Sequence, residues 1–340
     1  MLRKLATVVA LAVGMGLLSA LVSGTLFSAI GVPPYPLRII TLAGINVILA
    51  VSLNLISGFT GQFSIGHAGF MAIGAYGTGW VAVTFGPRIQ AAVSFLPLEA
   101  QQGVVVLAGL AFGGLLAAIG GLLVGVPSLR LRGDYLAIVT LGFGEIIRVF
   151  ILNIDAIGGA RGYTGIPNLA GFGWVFFVAI LTVVAVHNLV GSSFGRTLIA
   201  VREDEIAAEA MGVNVTRSKV LAFVLSSTLA GVAGGLFAYY NMYLHTNSFT
   251  FIKSIEFIVM IVIGGLGSTL GAVVGAVAYT VLIEVLRVSA QYRMVAFSLM
   301  LILIMIFRPQ GLFGSIDFKR RARKPAPPRP GEGASSEAKP

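Results

Sequence analysis

Apolar runs of about 20 residues, parted by short polar breaks, recur down this chain and leave it few folds to adopt. As a helix, such a run matches the ~30 Å hydrocarbon core of a bilayer. Inside lipid every backbone N–H and C=O must be satisfied within the protein, which leaves helices or a closed barrel. A barrel needs short alternating segments, and none occur. Charged residues make up 11% of the chain, whereas a soluble domain carries about 25%. The expected class is therefore an all-α polytopic membrane protein. Glycine, at 44 of 340 residues, suits close helix packing in lipid.

About ten spans are expected, over residues 5–30, 37–56, 63–85, 103–126, 135–153, 171–189, 220–244, 255–263, 270–286 and 294–307. The weakest are 255–263 and 294–307, which are short. Residues 5–30 follow Arg3 and Lys4 and are too long for an ordinary signal-peptide core, despite the cleavage-like Leu18-Ser19-Ala20. Pro33, Pro34 and Pro36 suggest a rigid outer loop. Asp134 is placed to cap the fifth span. The net charge is +10, and basic excess in a membrane chain marks cytoplasmic loops. Arg130, Arg132 and residues 319–324 then lie inside, with both termini cytoplasmic in a multi-pass arrangement. Arg38, Arg88, Arg161, Lys253, Arg287 and Arg293 fall outside, so the asymmetry is imperfect. The organisation expected is a transmembrane domain over 1–316 and a basic, Pro-rich disordered tail over 317–340.

One polar island interrupts the pattern at residues 195–219, GRTLIAVREDEIAAEAMGVNVTRSK. Helix formers dominate residues 202–211, and Gly212 supplies a stop. A short charged helix between two spans exceeds what a turn requires. It reads either as a solvated loop or as a docking knob for a soluble partner on the cytoplasmic side.

Polar residues inside spans are costly and face the bundle interior or a wet path. Asn46, Asn54 and Ser57 fall within roughly an 80° sector of one helix. Asn54, Gln62, Ser64 and His67 are candidates either for lining a path or for interhelical hydrogen bonds. Glu145 lies about 16 Å along its helix, with Arg148 one turn on. That pair reads as a gate or path element, or as an internal lock. Gly66, Gly69 and Gly74, the pair Gly231/Gly235 and the pair Gly271/Gly275 are the spacings that let helices touch backbone to backbone. The turns at residues 57–62 and 264–269 resemble each other.

Several chemistries are unsupported. Cysteine is absent, so disulfides and thiolate metal sites are excluded. His67, His187 and His245 are scattered, with no metal-ligand spacing. Residues 264–271 have a phosphate-loop glycine rhythm but lack its Lys-Ser/Thr ending. No nucleophile elbow and no nucleic-acid motif occur. A transporter is favoured over an enzyme. An H⁺- or Na⁺-coupled carrier using Glu145 or His67, and a membrane scaffold without a path, are the competing classes.

Four segments, in order, carry a family resemblance: GFTGQFSIGHAGFMAIGAYGTG at 58–79, GDYLAIVTLGFGEIIR at 133–148, REDEIAAEAMGVNVTRSK at 202–219 and IGGLGSTLGAVVGA at 263–276. Together they resemble the LivM-type permeases of branched-chain amino acid ABC importers. The resemblance implies a type II ABC importer-like bundle of about ten helices in the bacterial inner membrane. It implies a second permease of the LivH type, two cytoplasmic ATPase subunits holding ATP and Mg, and an extracytoplasmic amino-acid-binding protein. No cofactor is then expected on this chain. It implies that residues 202–213 form a coupling helix, with Arg202, Glu203, Asp204, Glu205, Glu209 and Gly212 meeting the ATPase. Met211 stands where the family's Glu-Ala-Ala…Gly element has its second alanine. The family also carries urea, short amides and aromatic acids, so these remain alternatives to Leu, Ile and Val as the small-molecule substrate.

Overall fold

The computed structural model describes residues 34–289, apart from 129, 130 and 132, together with Leu299. The described residues form eleven α-helices: α1 (Pro34–Ser57), α2 (His67–Thr84), α3 (Gly86–Ala92), α4 (Leu98–Ser128), α5 (Asp134–Leu152), α6 (Phe172–Gly191), α7 (Ser193–Glu203), α8 (Glu205–Ala210), α9 (Val215–Asn241), α10 (Phe251–Gly264) and α11 (Thr269–Val285). Among the described residues the one β feature is an isolated bridge, Tyr163 to Leu244.

Six described helices are long and apolar enough to cross a membrane, or seven if α2 and α3, bent by 56°, count as one span. The apolar α11 is shorter, at 17 residues. The expected first and last spans, and the 317–340 tail, lie outside the described residues.

Two helices organise the bundle. α1 packs against α6, α9, α10 and α11, and α9 packs against α1, α2 and α4. The α2–α4–α9 junction is made by glycine. A Cβ on Gly74 would lie 2.1 Å from the Gly231 carbonyl oxygen, and one on Gly113 would lie 2.6 Å from that of Gly74. These backbones touch with no side chain between them, the closest packing a helix pair permits. At one end, Tyr163 N–H donates to Leu244 O at 2.7 Å and Leu244 N–H returns at 3.0 Å, joining the 153–171 loop to the α9–α10 connection. Tyr163 stacks there near Tyr76, and burial pushes its phenol pKa up.

Several boundaries differ from the sequence reading. α1 begins at Pro34, so Pro34 and Pro36 occupy its first turn rather than a loop; the N–H groups they lack would be unpaired there anyway. The third expected span splits, residues 63–66 staying irregular. α4 runs through Pro127 to Ser128. Gly133, with φ 59°, holds the cap position of α5, and Asp134 is already helical. α10 begins at Phe251, which brings Lys253 inside a helix. That charge is tolerated because Lys253 Nζ donates to Glu256 Oε2 at 2.6 Å, one turn on.

Candidate functional site

The polar island is two helices, not one. α7 is capped by Ser192, whose hydroxyl accepts from Gly195 N–H at 3.4 Å, and it buries Leu198 and Val201. Asp204 then breaks the helix. Its backbone is extended, with φ −157°, and its carboxylate accepts from the N–H groups of Ile206 (2.8 Å) and Ala207 (3.0 Å). That is an N-cap, and it starts α8. Gly212, at φ 83°, closes α8 as Val213 N–H reaches back to Ala208 O at 3.1 Å. Asn214 caps α9 through Arg217 N–H at 2.9 Å. The expected single helix over residues 202–213 is thus a capped helix–break–helix knob.

The six residues expected on this knob divide by direction. Glu203 and Glu209 are exposed, Asp204 is spent on its cap, and Gly212 faces open space. Glu205 pairs with Lys219, which is almost wholly buried at the foot of α9. Arg202 is about one-third exposed at its side chain, and its Nη1 reaches the bundle, donating to Gly58 O at 3.0 Å. A cleft of ≈ 1020 Å³ opens beside α8, lined by Glu205, Glu209, Asn214, Arg217 and Lys219. The sequence reading passed over Ile206, and counted Met211 only as a departure from the family motif. They are 71% and 85% exposed beside α8, which is otherwise built of alanine and glutamate. Their signal was present: two large apolar side chains in the least apolar stretch of the described chain.

Asn54 joins the two similar turns. Its side chain donates to Ser268 O and accepts from Gly267 N–H, both at 3.0 Å. Beyond it, residues 58–66 run as irregular chain that is mostly buried. Irregular backbone next to apolar spans is tolerated where protein covers it or where it lines a wet cavity. The hydroxyls of Ser57 and Ser64, both polar atoms of Gln62 and Nδ1 of His67 are buried without a hydrogen-bond partner among the described residues. The other ring nitrogen, His67 Nε2, lies 2.8 Å from Ser52 Oγ, which donates to Leu49 O. Five unmet polar atoms within one short segment exceed the few per 100 residues usual in native proteins.

Charge within two candidate spans forms a separate cluster. Arg148 Nε donates to Glu145 Oε2 at 2.7 Å, and Glu145 Oε1 accepts Phe251 N–H, the first of α10, at 3.2 Å. Lys253 and Glu256 follow on α10. All four side chains are between 24% and 31% exposed, within two candidate spans. Glu145 also borders a ≈ 450 Å³ groove along α5 with Gly142, Ile146 and Val149. Charges at that depth require a partner or water rather than lipid. Arg148→Leu, which strands Glu145, is expected to cost roughly 1–3 kcal/mol, below the range for fully buried pairs because this one is partly open. The double variant Glu145→Leu/Arg148→Leu should recover most of it in thermal unfolding. A double variant no more stable than the single one refutes the pair as a structural lock.

The remaining expected glycines all sit at helix contacts. A Cβ on Gly66 would meet Thr140 O at 2.3 Å, on Gly69 the Gly144 Cα at 3.0 Å, and on Gly235 the Thr78 hydroxyl at 2.4 Å. On Gly271 and Gly275 it would meet the Gly264 and Met260 carbonyls at 2.5 and 2.1 Å.

Residues 35–308 match the family described as "Branched-chain amino acid transport system / permease component". The chain is 36% identical over 309 residues to the high-affinity branched-chain amino acid transport system permease protein LivM of Salmonella typhimurium, spanning 81% of this chain and 69% of that one. It is 27% identical over 312 residues to the probable LivM of Methanocaldococcus jannaschii (79% and 90%). It is also 24% identical over 300 residues to the permease protein LivH of Salmonella typhimurium (81% and 93%). No solved structure matches the chain.

Proposed function

The chain belongs to the family of permease components of branched-chain amino acid transport systems, and from that premise we propose that it is the membrane subunit of an ATP-driven ABC importer for branched-chain or closely related small amino acids. It works by alternating access, beside a second permease of the LivH type, with about ten spans in all. Hydrolysis belongs to two ATPase subunits on the cytoplasmic side, so this chain is a transport subunit and not an enzyme. A binding protein on the far side delivers the substrate.

The observation that carries this reading is the α7–α8 knob. Three caps and a left-handed glycine stiffen it, and it presents Ile206 and Met211 to solvent next to an open cleft. An exposed apolar pair on a rigid, charged support favours a protein contact at this point. The path would run past the buried polar segment 58–66 and the Glu145–Arg148 pair. Asn54, Gln62, Ser64, His67 and Glu145 are its proposed lining.

The test is uptake of labelled leucine, isoleucine or valine into vesicles holding the assembled importer and its binding protein. Uptake should require ATP in the compartment that carries the ATPases. Uptake that persists without ATP and collapses with the proton gradient would replace this reading with ion-coupled carriage through Glu145 or His67. Competition by urea, short amides or aromatic acids, in place of the aliphatic amino acids, would move the substrate class.

A further inference from the structure

Arg202 stands one residue before the end of α7, at the base of the knob, and its side chain reaches three glycines in two distant turns. Nη1 donates to Gly58 O at 3.0 Å. The Arg202 Cγ lies 2.8 Å from where a Cβ on Gly61 would be, and Nη1 lies 2.8 Å from the same position on Gly267. Both glycines have left-handed backbones, at φ 72° and 80°. The turns are themselves in contact, since a Cβ on Gly58 would fall 2.4 Å from Gly267 N. Asn54 ties them by its two hydrogen bonds.

The guanidinium is also held from its other side. Nε and Nη2 both donate to Glu203 Oε1, at 3.1 and 2.5 Å. Glu203 is largely exposed, so this pair orients the planar fork rather than anchoring it, and the remaining nitrogen is aimed at Gly58. A solvated Arg–Glu pair, which is worth little to stability, would need none of this. It would not need glycine at three places where any side chain meets the arginine or the opposing turn.

What the two turns connect gives the contact its consequence. The first ends α1 and leads into residues 58–66, where Gln62 and Ser64 sit buried with unmet polar atoms and His67 follows. The second separates α10 from α11. We propose that Arg202 is a positioning residue for transport: it transmits displacement of the α7–α8 knob to the 58–66 segment and the α10–α11 turn, and so opens or closes the cytoplasmic end of the path. Arg202 then acts inside the permease rather than as an ATPase contact. This inference rests on the importer reading above.

The experiment compares the assembled importer, with its ATPases and binding protein, carrying wild-type Arg202, R202Q or R202K. Uptake and ATP hydrolysis are measured on the same vesicles. Glutamine keeps polarity but loses the charge and the fork. R202Q is expected to retain its ATPases and to hydrolyse ATP within about twofold of wild type, while amino acid carried per ATP falls about tenfold, the size of an ordinary coupling free energy. R202K, which keeps the charge without the fork, should fall about threefold by the same reasoning. The chain has no cysteine, so Phe63→Cys gives a single reporter within the 58–66 segment. Its thiol-labelling rate should differ between the nucleotide-free and ATP-bound importer, and that difference should vanish in R202Q. Unchanged uptake per ATP overturns the proposal, as does a proportional fall of uptake and hydrolysis together. If R202Q does not assemble, R202K is read by the same ratio, and an unchanged ratio there overturns it too. Wild-type importer without ATP-dependent uptake would overturn the importer reading itself, and this inference with it.

Discussion

Gly74→Val yields no natively packed bundle. A Cβ at Gly74 falls 2.1 Å from the Gly231 oxygen, 2.2 Å from its Cα and 2.4 Å from its carbonyl carbon. All three are backbone atoms of α9, so no side chain can rotate away. Separating α2 from α9 by the required ångström is also opposed by α4. There a Cβ on Gly231 would already meet Ala117 Cβ at 2.3 Å, and Gly113 rests on Gly74. Overpacking costs about 1–3 kcal/mol where side chains can yield. With three backbones locked together the expected cost is on the order of 5 kcal/mol or more, comparable with the whole stability of many domains. The measurement is the monodisperse fraction and thermal midpoint of the detergent-solubilised protein. Gly142→Val is the control, because a Cβ there meets nothing within 4 Å on the open face of α5. Gly74→Val behaving like Gly142→Val would show that the junction is looser than this packing.

The spans were legible because the bilayer imposes their length and because apolar helices need no distant partner to be recognised. Breaks were harder. Asp204 has the side chain of a good N-cap, yet helix formers on both sides hide it, and a cap appears only when the backbone turns extended. Lys253 was read as a loop residue because the expected short span began only at residue 255. Its place in α10 depends on Glu256 one turn later, a pairing that a positive-charge count ignores. Pro34 and Pro36 misled in the opposite direction, since proline is unfavourable within a helix but harmless in its first turn. The contact of Arg202 with the first glycine turn was out of reach altogether. Its acceptor, Gly58, is 144 residues away, and nothing local distinguishes an inward arginine from an outward one. The likeness of the two glycine turns was visible, but their contact through Asn54 is a tertiary fact.

Ile206→Asp combined with Met211→Asp should strip the ATPases from the permease and end ATP-dependent uptake while leaving the bundle folded. Both side chains are largely exposed, so the isolated permease loses little by their replacement. The supports remain: Ala208 stays buried under α8, Asp204 keeps its two cap bonds, and Lys219 keeps Glu205. In the assembly each apolar side chain would lose roughly 1.5 kcal/mol or more of burial. A carboxylate would then be desolvated in its place, or the contact would not form. A combined loss of about 3 kcal/mol or more corresponds to at least a hundredfold weaker association. Co-purification of the ATPases measures it directly, and the volume-conserving pair Ile206→Leu/Met211→Leu, which keeps the apolar surface, is the comparison. Retention of the ATPases by the double aspartate variant would remove the knob as their docking point. It would leave the family membership intact and send the search for the contact elsewhere on the same end of the bundle.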